Sequence, residues 1–381
     1  MKDSLHPKSE PRSAGVMAAI ANLVAKQAIT EAITTVQRGI DRGDLALMQS
    51  AWHDGAEVQY GFFNGPATQL CEILVGGPAQ PDNITTHNPS NVWIKISGDQ
   101  AISESYVFVY TRVGAVQSLI GGRYLDRHER RNGQWRLSHR TYVFDWNINQ
   151  PATGSGVPGF EAPYHRGSKS PEDPGARLLA KWGIRNRLEP SSGGTVNRTT
   201  ELSAQLEEKV RVALAKSDIQ ELIFAHARAV DRGDTVLLRS VWAPGATIDL
   251  GKFYAGDVEG YCELMRNTAL NIRRMSHAVN NIWIEVDGES AVAESYVIAT
   301  ATAASDQGDQ DTLSGGRYVD RYQLCNGVWK CSHRTFVSDW IIEQPSTDQR
   351  DVPGSMYEPL TLRGGLYPND PVYSFWKTLG S

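Results

Sequence analysis

Aspartate and histidine recur in matching places along this 381-residue chain. Asp41 and His87 stand in the first half, and Asp231 and His277 stand 190 positions later. Histidine titrates near neutral pH and is the commonest general acid or base, and a carboxylate beside it can orient the ring. These residue types predict proton-transfer chemistry. The alternative is structural: a packing role for each histidine, and for each aspartate an ion pair with one of the arginines Arg38, Arg123, Arg228 and Arg317.

One position breaks the match between the halves. His226 lies five residues before Asp231, whereas Val36 occupies the corresponding place before Asp41. Valine neither donates nor accepts a proton, so the two sets are not chemically equivalent. We therefore expect the fuller catalytic set, His226 with Asp231 and His277, in the second half, and the thinner set, Asp41 with His87, in the first.

Aromatic and charged side chains with a spacing of two residues form a second group of candidates, because alternate residues of a strand share a face. Such a surface suits a flat phenolic ligand. A domain–domain interface favours the same residue types, and the sequence leaves both interpretations open. The substrate-binding candidates are Tyr60, Glu104, Tyr106, Tyr110, Arg112, Arg123 and Tyr124 in the first half, and Glu294, Tyr296, Arg317 and Tyr318 in the second.

His139 and His333 stand in a repeated Ser-His-Arg-Thr segment. Alternation would place His139 on the face of Trp135, Leu137 and Val143, which favours a buried structural histidine. Asp126 and Asp320 are expected to form salt bridges on the opposite strand face from the arginines three residues before them.

The composition narrows the classes of partner. Lys and Arg total 38 against 43 Asp and Glu, a net charge of −5, and no basic stretch suggests nucleic-acid binding. The sequence has no P-loop, HExxH or CxxC motif, so we expect neither a cofactor nor a metal. The longest apolar run, residues 14–25, is shorter than a membrane span, and a signal peptide is the less favoured interpretation. Four cysteines are too few for a disulfide scaffold, which favours a cytoplasmic protein.

The repeated residues belong to two long copies of one unit. The offset is 190 as far as Glu104-Ser-Tyr106 and Glu294-Ser-Tyr296, and 194 from Gly121-Gly-Arg-Tyr124 and Gly315-Gly-Arg-Tyr318 onward. Each copy is long enough for its own core. We predict a first domain at 1–150, a Pro- and Gly-rich tail and linker at 151–200, a second domain at 201–345 and a C-terminal tail at 346–381.

Each unit is predicted to be α+β, with helices first and an antiparallel meander after them, in the order α-α-β-α-β-β-β-β. Gly43 and Gly233 suit the residue after a helix, and Asp44 and Asp234 the N-cap of the next one. Further helices are expected at 67–75, 258–270 and around 177–182. Ser217-Asp-Ile-Gln220 is typical of a capping box, and Asn132-Gly133, Asn326-Gly327, Ser97-Gly-Asp99 and Asp287-Gly-Glu289 of tight turns.

These motifs together resemble the SnoaL-like group of the nuclear transport factor two-like superfamily. The resemblance rests on Arg-x-x-Asp-Arg-Gly-Asp, the histidine before a Trp-containing strand, Gly-Arg-Tyr-x-Asp-Arg and Trp-x-x-Ser-His-Arg before Asp-Trp. It covers residues 28–148 and 218–342 and implies a curved antiparallel sheet wrapped round a long helix, a cone with a pocket inside. Such domains pair sheet to sheet, so the resemblance implies two cones packed as a pair within this chain.

The resemblance also implies chemistry, because dehydratases of this group place an Asp and a His where Asp231 and His277 stand. We expect a cofactor-independent lyase acting on a hydroxylated aromatic small molecule, of the kind of a lignin-derived phenolic dimer. An isomerase or polyketide-type cyclase, and a non-catalytic binding or partner subunit, remain the alternatives. A homo-oligomer of the two-domain chain is also left open, whereas the substrate, the number of active pockets and the reaction subtype are not fixed by the sequence.

Overall fold

The computed structural model describes residues 10–75, 84–152 and 204–379, together with residues 169, 173 and 177. The helix predicted around 177–182 and most of the predicted linker lie outside these residues. Two similar α+β units are present, one before and one after the predicted linker at 151–200. The prediction of two tandem cone-shaped domains is therefore confirmed.

The first domain opens with helices and continues as a six-stranded sheet. Its elements are α1 (Glu10–Arg42), α2 (Leu45–Ser50), β1 (Trp52–Gln59), β2 (Asn64–Pro66), α3 (Ala67–Val75), β3 (Ile84–Ser97), β4 (Gln100–Val113), β5 (Val116–Arg131) and β6 (Gln134–Pro151). The three-residue strand β2 is the one element that the predicted order omits.

The second domain repeats this order. Its elements are α4 (Ala204–Arg232), α5 (Thr235–Val241), β7 (Trp242–Asp249), β8 (Ala255–Asp257), α6 (Val258–Asn271), β9 (Arg274–Asp287), β10 (Ser290–Ala303), β11 (Gln310–Cys325) and β12 (Val328–Pro345). A short helix, α7 (Pro371–Trp376), follows in the C-terminal tail.

Each sheet combines one meander with one parallel pairing. The strand order is β2-β1-β6-β5-β4-β3 in the first domain and β8-β7-β12-β11-β10-β9 in the second. Strands β3 to β6 are antiparallel neighbours, and β1 pairs in parallel with β6. The sheet therefore has an inner face towards the long helix and an outer face turned away from it.

Helix α1 packs through one apolar stripe. Ile29, Ile33 and Val36 recur at spacings of four and three residues and are fully buried. They belong to the same stretch, Gly15–Arg42, that alone among the described residues is long and apolar enough by length and composition to cross a bilayer. In this fold those side chains form the core of the first domain.

Local sequence explains where the elements end. Gly43 and Gly233 adopt positive φ after the long helices, and Asp44 and Asp234 each accept a hydrogen bond from the residue three positions later. Asn132 and Asn326, with the glycines after them, also have positive φ, as the two-residue hairpin turn requires. These cap and turn predictions are confirmed.

Two local predictions are wrong. Ser217 lies inside the continuous helix α4, so Ser217-Asp-Ile-Gln220 is not a capping box; the helix begins at Ala204. His139 does not share a face with Leu137, because Ser138 is an extra residue that breaks the register between β5 and β6. The inner face resumes at Arg140, whose guanidinium lies 3.9 Å from the ring centre of Tyr124.

The C-terminal tail joins the two domains through buried charges. Asp370, just before α7, accepts hydrogen bonds of 2.8 Å from both Nη atoms of Arg123 on the outer face of the first sheet. Its Oδ2 also lies 3.1 Å from Nε of Arg232, the last residue of α4. Arg123 further binds Asp145 and Glu104, and Glu104 in turn pairs with Arg228 of α4. The outer face of the first sheet is thus covered by the second domain and the tail.

Candidate active site: two histidine–aspartate pairs

The end of α1 and the start of β3 bring together the first pair. Nδ1 of His87 lies 2.7 Å from Oδ1 of Asp41, and the main-chain N–H of His87 donates to Oδ2 over 2.8 Å. A carboxylate at a helix C-terminus is disfavoured by the helix dipole, and these two donors offset that cost. Because Asp41 binds His87, the alternative of an arginine partner is wrong.

The second domain reproduces this geometry. Nδ1 of His277 lies 2.6 Å from Oδ1 of Asp231, and the His277 main-chain N–H donates to Oδ2 over 3.1 Å. The Asp231 side chain is fully buried, and that of His277 is 16% exposed. Here too the aspartate binds histidine instead of an arginine side chain.

Both pairs leave the same ring atom free for chemistry. With Nδ1 held by the carboxylate as donor, the neutral ring presents Nε2 as an acceptor. No hydrogen bond links Nε2 of His87 or of His277 to another residue in the described ranges. Each histidine can therefore take a proton at Nε2 and return it, while the aspartate holds the ring and stabilises its cationic form.

The second pair has an additional donor from the first domain. The hydroxyl of Tyr106, on β4, donates to Oδ2 of Asp231 over 3.0 Å. Burial, and secondarily the negative charge of Asp231, raises the pKa of Tyr106 well above its ordinary value, so the phenol stays protonated as a donor. Tyr296, the counterpart of Tyr106, is 45% exposed. The two pairs therefore differ in what holds their aspartates.

Asn91 fixes the backbone of the second pair. Its Nδ2 donates to the carbonyl of His277 over 2.8 Å, and its Oδ1 accepts from the N–H of Val279 over 2.6 Å. Asn91 has a φ of 47° at a register break in β3. Sequence reasoning missed both Asn91 and Asp370. The signal for Asn91 was its recurrence as Asn281, and for Asp370 the recurrence of Asp-Pro at 173–174 and 370–371.

His226 lies deep inside the second cone. Its Nε2 is 2.9 Å from the hydroxyl of Tyr261, and the two rings are stacked. Burial, then the charges of Arg334 and His277, holds the pKa of His226 well below its ordinary value, so the ring is neutral near pH 7. It makes no hydrogen bond to Asp231 or His277. It is thus a neutral polar group of the cone interior, separate from the pair that sequence analysis grouped it with.

The substrate-binding candidates fall into two sets on opposite faces of the sheets. Arg123 points outward and Tyr124 inward, as consecutive strand residues must. The candidates inside the cones are Tyr60, Tyr124 and Tyr318. Those on the outer faces are Glu104, Tyr106, Arg123, Glu294, Tyr296 and Arg317.

The outer candidates of the first domain lie in the domain–domain interface. The prediction that they line a ligand pocket is therefore wrong. Tyr110 and Arg112 lie further along β4; Tyr110 donates to Gln117 of β5 over 3.3 Å. In the register of β3 and β4, Tyr110 is opposite Thr86 and Val109 is opposite His87, so Tyr110 lies beside the first pair but, by alternation, on the same face of β4 as Tyr106. Among the described residues, no hydrogen bond joins Tyr110 or Arg112 to either pair.

Buried ion pairs organise the inner face of each sheet. Arg140 binds Asp126 through two hydrogen bonds of 2.7 Å, and Arg334 binds Asp320 in the same way over 2.6 and 2.7 Å. The predicted salt-bridge role of these aspartates is confirmed. His139 and His333 instead lie beside threonines, at 3.1 Å from Thr141 and Thr335, and are half-buried.

A cavity of about 830 Å³ lies between the two domains, where α1, α4, β3 and β9 meet. Lys26, Asn91, Phe224 and Trp283 are among the residues that line it, whereas the four residues of the two pairs are not. Within the described parts of the chain, no cluster of three or more His, Cys, Asp or Glu side chains has the arrangement needed to hold a metal ion.

A tandem pair of helix-plus-curved-sheet cones, each with a His–Asp pair where the helix meets the sheet, defines the class of this protein. The chain belongs to the family of SnoaL-like domains, whose model matches residues 21–141 and 211–335. It is thereby a member of the nuclear transport factor two-like superfamily, with two tandem copies of the domain.

Solved structures with this fold align with one domain at a time. A scytalone dehydratase-like protein from Novosphingobium aromaticivorans is 17% identical, with 35% of this chain and 91% of that chain covered and a TM-score of 0.32. A hexachlorocyclohexane dehydrochlorinase, LinA-type3, from Novosphingobium barchaimii is 21% identical, with coverages of 34% and 90% and a TM-score of 0.31. The Kfla4162 protein from Kribbella flavida is 20% identical, with coverages of 33% and 92% and a TM-score of 0.31. A comparison with curated proteins gave no match.

Proposed function

We propose that this protein is a cofactor-free lyase that catalyses an elimination on a hydroxylated aromatic small molecule. The observation that carries the proposal is the repeated pairing of a histidine with an aspartate through Nδ1, which leaves Nε2 unoccupied and the ring partly accessible. An elimination needs a group that removes one proton and supplies another to the leaving oxygen. A histidine held in this way can perform both tasks through Nε2.

The second domain provides the fuller set of roles. His277 acts as the acid and base, Asp231 orients it, and Tyr106 positions Asp231 from the neighbouring domain. His226 offers a neutral hydrogen-bonding group inside the cone, next to Tyr261. Asp231 is fully buried, so the field of its carboxylate on His277 is little screened by water.

The aromatic interior supports a flat substrate. His226 is surrounded by the rings of Trp242, Tyr261 and Tyr318, with centroids 5.7 to 5.9 Å from its own. Aromatic surfaces with a few polar groups are typical of sites for phenolic compounds. A lignin-derived phenolic dimer with a benzylic hydroxyl is the substrate class that we propose.

The proposed reaction balances without a cofactor. A para-phenol gives its O–H proton to solvent water while protonated His277 donates a proton to the benzylic hydroxyl; the C–O bond breaks, and water, a quinone methide and neutral His277 form. Where the substrate also carries a neighbouring hydroxymethyl group, neutral His277 takes that group's O–H proton as its C–C bond breaks, which releases formaldehyde and leaves a phenolate that regains a proton from solvent. Otherwise neutral His277 takes a carbon-bound proton, and the phenolate of the conjugated alkene regains a proton from solvent.

Incubation of the purified protein with phenolic diols tests the proposal. We expect new conjugated absorbance, together with water or formaldehyde as the second product, and no change in the rate on addition of EDTA. The variant with both His87→Ala and His277→Ala is the control and should be inactive while retaining the circular dichroism of the wild type.

Three other results would each contradict the lyase assignment. A product of unchanged mass would indicate an isomerase or cyclase, binding without turnover would indicate a ligand-binding subunit, and activity lost with EDTA and restored by zinc or iron would indicate a metal enzyme.

A further inference from the structure

The outer faces of the two sheets carry the same or similar residues at matching positions but have different surroundings. In the first domain the large side chains of this face are 1 to 9% exposed, and their counterparts in the second domain are 42 to 69% exposed. The matched residues are Trp93 and Trp283, Ile102 and Val292, Tyr106 and Tyr296, Leu125 and Val319, and Trp146 and Trp340. We call the second set, with Glu294, Arg317 and Asp339, the open face.

The covered face of the first domain shows what these residues bind. Glu104 pairs with Arg228, and Tyr106 donates to Asp231, near and at the end of the long helix α4. Arg123 binds Asp370, which also contacts Arg232, the last residue of that helix. The contact has a direction, because it joins the sheet face of one domain to the helix end of the other.

The chain contains a second copy of both halves of this contact. The open face repeats the sheet residues, and Arg317 there binds only Glu294 and Asp339 of its own sheet among the described residues. We call Arg38, Asp41 and Arg42, at the end of α1, the helix end of the first domain; they correspond to Arg228, Asp231 and Arg232. The side chain of Arg42 is 33% exposed.

The similarity extends to the acidic residue that bridges the contact. Asp173 lies in Pro-Glu-Asp-Pro and Asp370 in Pro-Asn-Asp-Pro, so the two occupy matching places after their domains. Oδ2 of Asp173 lies 3.9 Å from Nη1 of Arg42, and Oδ2 of Asp370 lies 3.1 Å from Nε of Arg232. The helix end of the first domain therefore has a buried carboxylate, 5% exposed, at the place where that of the second domain has Asp370.

We propose that a second copy of this chain docks its open face onto the helix end of the first domain, repeating between chains the contact that joins the domains within one chain. Glu294 of the second copy then pairs with Arg38, and Arg317 with Asp173. Tyr296 of the second copy donates to Asp41, as Tyr106 does to Asp231. The partner thus supplies the hydroxyl that the first histidine–aspartate pair lacks.

A second copy fits this surface by charge. The open face has an arginine, Arg317, between two carboxylates. The helix end has two arginines with a carboxylate beside them. The same two sets of charges already pair with each other where the two domains of one chain meet. A contact of this head-to-tail kind either closes into a ring or extends into a filament. The mass of the assembly is then a multiple of the 42.0 kDa of one chain.

Light scattering after size-exclusion chromatography tests the proposal on the full chain. We expect the wild type to elute as an oligomer, and Tyr296→Asp and Arg38→Glu each to elute as monomers. An equimolar mixture of these two variants should form a dimer, because the intact helix end of one meets the intact open face of the other. Phe253→Asp, at a more exposed aromatic position in the β7–β8 turn, is the matched control and should assemble like the wild type.

The experiment in which the two variants are mixed distinguishes a helix end from other partners that could cover the open face. Two open faces packed against each other would leave Arg38→Glu oligomeric and give no rescue on mixing, and either result overturns the head-to-tail contact. A wild type that stays monomeric at high micromolar concentration also overturns it, since a segment of the same chain would then cover the face. Trp283→Glu repeats the test at the most exposed aromatic residue of the face, and circular dichroism verifies the fold of each variant.

Discussion

At the scale of single residues, the two histidine–aspartate pairs share their internal distances and differ in their support. Asp231 receives the hydroxyl of Tyr106 and the strand of His277 is held by Asn91, whereas Asp41, among the described residues, receives the two donors of His87 alone. A carboxylate with one more donor is held in one position, which keeps the ring of its histidine oriented towards the substrate. The monomeric chain therefore has one better-organised pair.

We predict that elimination depends mainly on this second pair. His277→Ala and Asp231→Asn should each lower the rate by ~10²–10⁴, the usual contribution of general acid–base catalysis. His87→Ala and Asp41→Asn should cost much less. Kinetics on the four variants, with unfolding curves as the control for stability, decide the matter; equal losses in the two domains would contradict the asymmetry.

Tyr106 permits a more specific prediction, because it acts through Asp231. Tyr106→Phe removes one hydrogen bond to a charged group, worth about 1.5–3 kcal/mol, and we expect a rate loss of roughly tenfold to a hundredfold. The loss should appear in kcat with KM little changed, since Tyr106 contacts Asp231 and not the reacting atoms. Tyr110→Phe, on the same strand, is the matched control. A change in stability without a change in kcat would show that Tyr106 is only structural.

The sequence predicted which histidines and aspartates meet because the repeat placed them at equivalent points of a helix end and a strand start. It did not predict the partners of Glu104 and Tyr106. Alternation places those two side chains on one face of β4, but it does not reveal whether a ligand or another domain covers that face. The grouping of His226 with Asp231 and His277 was wrong for a related reason. A position five residues before Asp231 on the same helix is close to the pair, but the side chain of His226 points elsewhere.

At the scale of elements, buried polar residues on adjacent strands link stability to pH. His128 on β5 lies 2.9 Å from Oγ of Ser103 on β4 and is almost completely buried. Burial lowers the pKa of His128 from 6.5 to about 4. The unfolded chain therefore binds a proton that the folded chain does not, between about pH 6.5 and pH 4.

This difference predicts a loss of stability on acidification. The contribution of neutral His128 is fully present above about pH 6.5 and is lost as the pH falls towards 4, by roughly 3 kcal/mol in all. His128→Tyr, which introduces the residue that the second domain has at Tyr322, should flatten this dependence. Urea unfolding of the two proteins at both ends of the range measures it, and parallel pH profiles would refute it.

Helix and strand positions followed from local patterns, and the departures have local physical causes. Apolar spacing, asparagine–glycine turns and N-cap aspartates placed most elements within a few residues. Ser217 misled the prediction because a capping motif inside a strongly helical stretch does not stop the helix from continuing towards its N-terminus. The extra residue Ser138 was invisible, since no feature of Ser-His-Arg-Thr distinguishes a regular strand from one with an irregular register.

At the scale of the whole molecule, a few buried charges connect parts that are far apart in sequence. Asp370 has no exposed side-chain surface and neutralises Arg123 and Arg232, which belong to different domains. Both arginines lie in an environment of low polarity, where an unpaired charge is costly. The tail is therefore part of the domain interface.

Asp370→Asn should destabilise the protein by about 3–5 kcal/mol, because it leaves two buried guanidinium groups short of one carboxylate. Asp339→Asn, which removes an exposed partner of Arg317, should cost only about 0–1 kcal/mol. Denaturant unfolding compares the two, with tryptophan fluorescence as the signal. Equal destabilisation by both changes would show that the interface charges are solvated in the native protein.

Pro89 makes the two possible arrangements of the domains unequal in free energy: the one in which the first domain supplies the asparagine, and the one in which the second domain does. Asn91 binds the N–H of Val279, and the residue that corresponds to Val279 in the first domain is Pro89, which has no N–H to offer Asn281. If residue 89 were valine, as residue 279 is, Asn91 and Asn281 would each have an N–H to bind in the other domain. This contact would then favour neither arrangement. One missing hydrogen bond, about 1 kcal/mol, biases that population roughly fivefold towards the order seen here. Pro89 thus adds to the buried charges of Arg123, Arg232 and Asp370 in favouring one order of the two domains.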